Sequence, residues 1–261
     1  MGIVTIKNPE QISIMRDAGH LLYEVYQELR RVVEPGISTW ELDQIAEKLM
    51  RQRHATGSCK GYEGFPCVLC TSPDDVVVHG IPSKKVILQE GSLISIDTCL
   101  EYHGWQSDSA FTMGVGTISP EKQKLIDVTE QCFWAGARMA IAGNRLGDIG
   151  HAVQTLAEEN GYGVVRDLTG HGIGRSIHED PMVPNYGAPG HGFRLRPGMT
   201  ICVEPMITMG TWRVSMDEKD GWTVRTQDHL PAAHYEHTLL INEDGLPELL
   251  TFPGFSWKEA E

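Results

Sequence analysis

Apolar residues recur at helical spacing in four segments, which form two pairs along the chain. The first pair begins at Asn8, which precedes a proline, and at Ser38, which opens a capping box. The second pair begins at Ser119, with a helix running to about Ala142, and near Leu146. The apolar stripe of the first helix comprises Ile12, Met15, Leu22, Val25, Tyr26 and Leu29. Each helix is expected to pack such an apolar stripe against the hydrophobic core.

The two halves of the chain repeat each other at a constant offset. Gly143 lies 107 residues after Gly36, and each of these glycines precedes the second helix of a pair. Glu204 also lies 107 residues after Asp97, and both acids end an apolar strand. One offset that holds for a helix and a strand indicates a duplication. We therefore predict one α/β domain over 1–261, with two pseudo-symmetric halves, two helix pairs and a sheet.

A hairpin in the first half carries two acids. Residues 93–99 alternate as a strand, and the chain returns after a turn to Asp108. If the turn is centred on Tyr102 and His103, Asp97 and Asp108 become direct cross-strand neighbours, with Cβ atoms about 5 Å apart. Two acids in such a hairpin are usually exposed to solvent, and that is the first interpretation. Like charges this close repel, however, so a cation between them is the alternative.

The second half adds three more candidate ligands and favours that alternative. Glu204 ends an apolar strand and Glu236 opens another, while His171 lies between glycines that allow close backbone approach. Four carboxylates within apolar strands are costly without cations. The predicted metal ligands are Asp97, Asp108, His171, Glu204 and Glu236. This oxygen-rich set suits two divalent ions with a bridging water, and Co, Mn, Fe and Zn all remain candidates.

Charge and cysteine usage exclude several other classes of protein. The 35 acidic residues exceed the 22 basic ones and give a net charge of −13, which disfavours binding to nucleic acid or to anionic membranes. The amino terminus resembles no export signal, and no apolar run reaches the length of a membrane span, so we expect a cytoplasmic protein. The six cysteines are expected to be reduced. Cys67 and Cys70 have CxxC spacing without a partner motif, which favours buried or pocket-lining thiols.

Nine short stretches together resemble the type I methionine aminopeptidases. They span most of the chain, and jointly they are highly specific. The stretches are GYEGFP (61–66), VVVHGIP (76–82), ID (96–97), SD (107–108), GHGIG (170–174), HEDP (178–181), PNYG (184–187), EP (204–205) and YEH (235–237). The resemblance implies the pseudo-two-fold "pita-bread" fold and the same five metal ligands.

The resemblance also implies a reaction and a substrate. A metal-bridging hydroxide would attack the first peptide carbonyl, with Glu204 as general base and with His79 and His178 supporting the tetrahedral intermediate and the scissile amide. The residues implied to bind the substrate are Cys59, Tyr62, Phe65, Cys70, His79, His178 and Trp222. The enzyme would act as a monomer, with the ribosome as a candidate partner. It would remove the initiator methionine from nascent polypeptides when the second residue is small, and Met1-Gly2 is itself such a sequence.

Some positions differ from the family pattern, and two other interpretations of the function are considered. Glu63 and Ile177 differ at the pocket rim, and Asp74 differs in a loop that could hold a monovalent cation. A prolidase-like hydrolase would share the fold and ligands, but only 1–7 precede the first helix here, where those relatives carry a further domain. A catalytically inactive binding protein would be expected to lack some metal ligands, and all five are present.

Overall fold

Both predicted helix pairs are present in a computed structural model, which describes residues 4–259. The helices are α1 (Pro9–Val32), α2 (Thr39–Gln52), α3 (Pro120–Met139) and α4 (Leu146–Glu159). Asn8 and Ser38 cap α1 and α2, and each makes the reciprocal hydrogen bonds of a capping box. None of the helices in this part of the chain is long and apolar enough to cross a membrane. The Met1-Gly2 sequence, predicted to be a substrate, lies outside the described residues.

Helix α3 ends earlier than the predicted end near Ala142. The last helical residue is Met139, and the amide of Ala140 donates to the carbonyl of Ala137, which tightens the final turn. Gly143 then has φ of 95°, a left-handed conformation that suits glycine. The prediction was wrong because the apolar pattern continues for a few residues into this turn.

Fifteen strands are described, and nine of them form one antiparallel sheet. They are β1 (Thr56–Gly57), β2 (Cys70–Pro73), β3 (Val76–Val78), β4 (Leu93–Tyr102), β5 (Trp105–Gly114), β6 (Gly163–Val164), β7 (Gly170–Gly172), β8 (Glu179–Val183), β9 (Thr200–Val203), β10 (Met206–Thr208), β11 (Val214–Met216), β12 (Val224–Thr226), β13 (Ala232–His234), β14 (Glu236–Leu240) and β15 (Glu248–Leu249). The large sheet has the order β1-β4-β5-β14-β9-β7-β8, with β2 beside β4 and β15 beside β14. Two three-stranded sheets, β13-β10-β6 and β11-β12-β3, complete the mixed α/β fold that was predicted.

The offset found in the sequence returns in the backbone pairing. Ser38 forms an isolated bridge with Ile87, and Arg145 forms one with Arg194, so that both members of the second bridge lie 107 residues after those of the first. Helices α2 and α4 begin and end at the same offset. Each half therefore attaches the start of its second helix to the segment that leads into a central strand.

The helices pack on one face of the large sheet, and the polar residues of the predicted site lie on the opposite face. Ile94 and Ile96 of β4, and Ile201 and Val203 of β9, belong to the core cluster that includes side chains from all four helices. Residues between them in sequence point to the opposite face, because side chains alternate along a strand. Asp97 and its neighbours therefore lie on the face away from the helices.

Candidate metal centre

The β4–β5 hairpin has a tighter turn than the sequence predicted. Tyr102 pairs with Trp105, so the two turn residues are His103 and Gly104. Their φ angles are 50° and 77°, and a two-residue turn with two positive φ angles matches the right-handed twist of the strands. The turn centre is thus one residue later than the predicted centre at Tyr102 and His103.

This shift changes the pairing of the two acids without changing their face. Asp97 pairs with Ala110, and Asp108 pairs with Cys99. The prediction that Asp97 and Asp108 are direct cross-strand neighbours is therefore wrong. A shift of the turn by one residue moves the pairing by two, and two is the side-chain period of a strand. The acids are diagonal neighbours on the same face.

Two rows of side chains cross the sheet on this face, and all five predicted ligands lie in or beside them. The first row, across β2, β4, β5 and β14, comprises Cys70, Asp97, Ala110 and Glu236, and Glu204 follows β9 directly beside it. The second row comprises Cys99, Asp108, Thr238, Cys202 and His171: strand pairing joins Cys99 to Asp108 and Thr238 to Cys202, hydrogen bonds join Asp108 to Thr238, and His171 precedes Gly172, which pairs with Ile201. Strand pairing thus brings together residues that are far apart in sequence.

The His171 ring is oriented with one nitrogen toward the carboxylates. Its Nδ1 lies 2.9 Å from the carbonyl oxygen of Gly172, and donation to that oxygen leaves Nε2 as the acceptor. Nε2 lies 3.6 Å from Oδ2 of Asp108 and 3.5 Å from Oε1 of Glu204. Burial lowers the pKa of His171 to about 3, so the ring is neutral and these contacts are not ion pairs. A neutral imidazole is the form that binds a metal.

The four carboxylates are buried together, and each resists ionisation. Burial, with a smaller contribution from Cys59, raises the pKa of Asp108 to about 7. Burial first, and then repulsion from neighbouring acids, raises the pKa values of Asp97, Glu204 and Glu236 well above the usual range. Opposite charge among such groups favours their ionised form, and a divalent cation supplies it.

Donor atoms in the cluster fit a metal ion. One donor atom from each of Asp108, His171, Cys202 and Glu236 lies within 4.8 Å of the other three. Glu204 borders this group through its 3.5 Å approach to His171. Within the described residues, Asp108 Oδ1 and Glu236 Oε1 are buried without a hydrogen-bond partner. Burying a carboxylate oxygen without a hydrogen-bond partner costs free energy, and coordination to a metal ion would provide the missing partner.

A cavity of about 340 Å³ opens above the cluster. Its lining includes the five predicted ligands and all seven residues predicted to bind substrate, which are Cys59, Tyr62, Phe65, Cys70, His79, His178 and Trp222. One end is apolar: the rings of Phe65 and Trp222 pack edge to face at 5.1 Å between centroids. The structure thus brings the whole predicted set into one cavity.

Two histidines with predicted catalytic roles lie on the wall of this cavity. Nδ1 of His178 lies 2.7 Å from the hydroxyl of Tyr62, and the His178 ring packs against that of His171 at 4.4 Å. His79 has φ of 58°, in the left-handed region, and its ring packs edge to face with that of Trp222 at 6.1 Å between centroids. Burial lowers the pKa of both His79 and His178, which favours neutral rings.

Three further residues in or beside the carboxylate cluster were missed by sequence reasoning. The Cys99 thiol donates to Oδ2 of Asp108 at 2.8 Å, and Cys202 belongs to the donor group described above. Both ring nitrogens of His234 are buried without a partner in the described chain, and its Nε2 lies 3.8 Å from Oε2 of Glu204. Each of these residues lies two positions from a predicted ligand, and this spacing was a signal that the sequence offered.

The positions that depart from the family pattern fall in two places. Glu63 and Ile177 line the cavity. Asp74 lies elsewhere: its Oδ1 accepts from Lys122 Nζ at 2.7 Å and from the amide of Leu93 at 3.0 Å. An ammonium group therefore neutralises the loop at Asp74.

A family model described as metallopeptidase family M24 matches residues 13–243. The chain belongs to this family. The methionine aminopeptidase of Clostridium acetobutylicum is 48% identical over 95% of this chain and 99% of its own length. Methionine aminopeptidase 1 of Bacillus subtilis is 44% identical over the same shares. The resemblance seen in the sequence is thereby confirmed, and M24 membership makes the chain a metallopeptidase.

Solved structures agree in fold over nearly the whole chain. The Rickettsia prowazekii methionine aminopeptidase has a TM-score of 0.94 at 37% identity and covers 96% of this chain and 100% of its own. That of Thermotoga maritima has a TM-score of 0.93 at 40% identity, over 95% and 99%. A prolidase from Pyrococcus furiosus matches at a TM-score of 0.76 and 22% identity, over 96% of this chain and 66% of its own, and shows only a shared fold. The expected pita-bread fold is confirmed.

M24 membership and the buried cluster also support the use of divalent metal by this chain.

Proposed function

We propose that this protein removes the initiator methionine from polypeptides whose second residue is small. The observation that carries the proposal is the convergence, in one cavity, of a buried carboxylate cluster with an apolar pocket rich in sulfur. The identity of 48% to a methionine aminopeptidase over 95% of the chain supports the same substrate. The cluster supplies the chemistry and the pocket supplies the selectivity.

In this proposal two divalent ions, drawn from Co, Mn, Fe and Zn, are held at the cluster. The ligands would be Asp97, Asp108, His171, Glu204 and Glu236. When bound, the ions would supply positive charge, polarise the scissile carbonyl and lower the pKa of attacking water. The donor set fits them because four acids with raised pKa values and two orphaned oxygens need a compensating cation.

The chain's own groups would handle the protons. Glu204 is the general base: a carboxylate oxygen takes a proton from water and passes it to the departing amine. In the histidine tautomer that this role requires, the Tyr62 hydroxyl would donate to Nδ1 of His178, and Nε2–H of His178 would donate to the developing oxyanion. Burial raises the pKa of Tyr62, which keeps its hydroxyl protonated. His79, on the facing wall, would orient the scissile amide.

The pocket would select methionine by shape and by chemistry. Cys59, Phe65 and Cys70 are buried in one apolar cluster, against which Tyr62 and Trp222 pack. An unbranched thioether fits an irregular sulfur-containing slot and makes favourable contacts with aromatic rings. Beyond the scissile bond, the walls at His79 and His178 would limit the space for the second side chain, and small second residues would therefore be preferred.

The substrates would be nascent polypeptides in the cytoplasm, with the protein acting as a monomer and the ribosome as a partner. Co-sedimentation with purified ribosomes and light scattering of the free protein test these assignments.

The deciding experiment compares peptides with metal-loaded protein. Met-Ala-Ser, Ala-Ala-Ser and an Xaa-Pro dipeptide would be incubated with the protein and each divalent ion, and products followed by mass spectrometry. We expect release of methionine from the first peptide only. Ala-Ala-Ser is the matched control for the methionine side chain. Cleavage of the Xaa-Pro peptide alone would overturn the proposal in favour of a prolidase-like activity.

A further inference from the structure

Cys202 places a sulfur atom among the proposed metal ligands. It lies on β9, two residues before Glu204, and pairs with Thr238 of β14. Its side chain is fully buried, and its Sγ belongs to the group of four donor atoms within 4.8 Å of one another. The other three donors come from Asp108, His171 and Glu236. Cys202 also belongs to an apolar cluster with Trp105, Ile173 and Leu240, among others. Its Sγ is nevertheless within reach of three potential metal ligands, which distinguishes it from a thiol that has only apolar neighbours.

The atoms around Cys202 point to a ligand as well. Asp108 and Glu236 are 4% and 2% exposed, and each has one carboxylate oxygen without a partner in the described chain. The hydroxyl of Thr238 donates to the carbonyl of Asp108 at 2.8 Å, so the Cys202 thiol is the donor in its 3.7 Å contact with Thr238. This weak contact is readily given up when the sulfur finds a stronger partner.

We propose that Cys202 is a sulfur ligand, and that the centre takes a thiophilic divalent ion such as Zn²⁺ through Asp108, His171, Cys202 and Glu236. The inference builds on the metal site of the proposed function and adds a donor to it. Tetrahedral zinc with bonds of about 2.0–2.3 Å requires donors about 3.3–3.8 Å apart. The four atoms are within 4.8 Å, so a contraction of about 1 Å completes the site. The S–H bond breaks as the S–Zn bond forms, and its proton leaves to solvent.

The first test asks whether sulfur is bonded to the metal in the unmodified protein. Metal-free protein is loaded with one equivalent of Zn²⁺, and zinc-edge X-ray absorption measures the neighbouring atoms. We expect a sulfur neighbour at about 2.3 Å beside nitrogen and oxygen neighbours at about 2.0–2.2 Å. With Co²⁺ in place of Zn²⁺, a sulfur-to-cobalt charge-transfer band should appear in the near ultraviolet. A zinc shell of nitrogen and oxygen alone would overturn the inference.

Variants identify which thiol is responsible. Cys202→Ser keeps the size and the contact with Thr238, and it should lose the sulfur signal and bind Cd²⁺ about 10-fold or more weakly, with Mn²⁺ affinity changed less. Cys99→Ser is the matched control, because Cys99 also contacts Asp108 but from β4. Cys132→Ser controls for loss of a buried thiol on α3. Both controls should keep the signal. Its loss in Cys99→Ser, with retention in Cys202→Ser, would overturn the assignment.

Peptide assays on the same samples separate this inference from the proposed function. Cleavage of Met-Ala-Ser without a sulfur neighbour would reject Cys202 as a ligand and leave the function standing. A sulfur neighbour without methionine release in any metal would support the ligand and reject the function.

Discussion

At the scale of single residues, three of the four acids of the centre have a cysteine or a histidine two positions away in the sequence. The pairs are Asp97 with Cys99, Glu204 with Cys202, and Glu236 with His234. Burial raises the pKa values of the acids and lowers that of His234 to about 3. Without a cation, protonated acids and neutral histidines therefore minimise charge in the site. A bound ion reverses this balance by stabilising the carboxylates.

Asp108→Asn should change how the stability of metal-free protein depends on pH. The folded pKa of Asp108 is raised from 3.8 to about 7, so its favourable contribution is complete below 3.8 and is lost as pH rises through 7. In chelator, the wild-type free energy of unfolding should therefore fall more steeply between about pH 5 and about pH 8 than that of Asp108→Asn. Urea unfolding at both pH values measures this. The variant should also lose metal-dependent activity, and equal slopes would contradict the raised pKa.

His178→Ala should separate catalysis from metal binding. The ring donates to the transition state in the proposed function, and loss of one such donor costs about 3 kcal/mol, or roughly 100-fold in kcat. Metal content, measured on the purified protein, should stay nearly unchanged. Tyr62→Phe is the matched control: it removes the 2.7 Å partner of His178 and should lower kcat by a smaller factor. If His178→Ala emptied the site of metal, His178 would be a ligand and its proposed role wrong.

The sequence predicted the acids of the site better than their companions. Carboxylates within apolar strands are conspicuous because burying charge is costly, and this led to Asp97, Asp108, Glu204 and Glu236. Cys202 and His234 are as close to the centre, but a buried cysteine or histidine is also ordinary core. For Cys202, the pairing of β9 with β7 and β14 distinguishes the two cases, and that pairing joins residues about 30 to 40 positions apart.

At the scale of elements, the segment before α1 holds the loop that carries His178. Lys7 is 5% exposed, and its Nζ lies 3.0 Å from Oε2 of Glu179. Thr5 donates to the same oxygen at 2.6 Å, while the backbone amide of Arg175 donates to Oε1 at 2.8 Å. Glu179 therefore connects residues 5–7 to the β7–β8 loop through hydrogen bonds and an ion pair. Any loosening of this connection would move the neighbouring His178.

Lys7→Met should destabilise the protein and lower kcat. Removing the ammonium leaves the Glu179 carboxylate without its cationic partner, which costs roughly 1–3 kcal/mol for a buried charged group. Displacement of His178 should reduce kcat more than it changes metal content. Lys60→Met is the matched control: its 3.0 Å ion pair with Glu47 is exposed, and its loss should cost about 1 kcal/mol or less. Equal losses of unfolding free energy in the two variants would contradict the proposed connection.

The hairpin shows why elements were easier to predict than their register. The caps at Asn8 and Ser38 are local signals, and both helices begin there. The turn at His103 and Gly104 depends on two positive φ angles, and the sequence offered glycine for only one of them. Histidine adopts positive φ more often than most other non-glycine residues, so His103-Gly104 was a usable signal, although a less conspicuous one than Asn-Gly or Asp-Gly. Because the pairing shifted by two residues, Asp97 and Asp108 remained on one face of the sheet. The prediction that both are metal ligands therefore did not depend on the error.

At the scale of the whole molecule, the duplicated halves share one sheet and one site. Strand β5 of the first half pairs with β14 of the second through Ala110 and Glu236, and through Ser109 and His237. Two of the proposed ligands come from the first half and three from the second. Separating the halves would break the middle of the sheet and expose the acid cluster. We therefore propose that the single domain predicted from the sequence unfolds as one cooperative unit.

Hydrogen exchange can test whether the halves unfold together. Helices α2 and α4 are related by the 107-residue offset, and each belongs to one half. If the chain is one cooperative unit, the slowest amides of both helices should exchange with the same free energy of opening. Saturating metal at about 100-fold excess over Kd should raise both by about 2.7 kcal/mol, because the ion binds only the folded state. The corresponding rise in Tm is roughly 5–10 °C. Asp108→Asn is the control, since weakened binding should remove most of the increase in both helices. A metal effect confined to α4, or a lower opening free energy in one helix at all metal concentrations, would mean that the halves are separate cooperative units joined at the β5–β14 pairing.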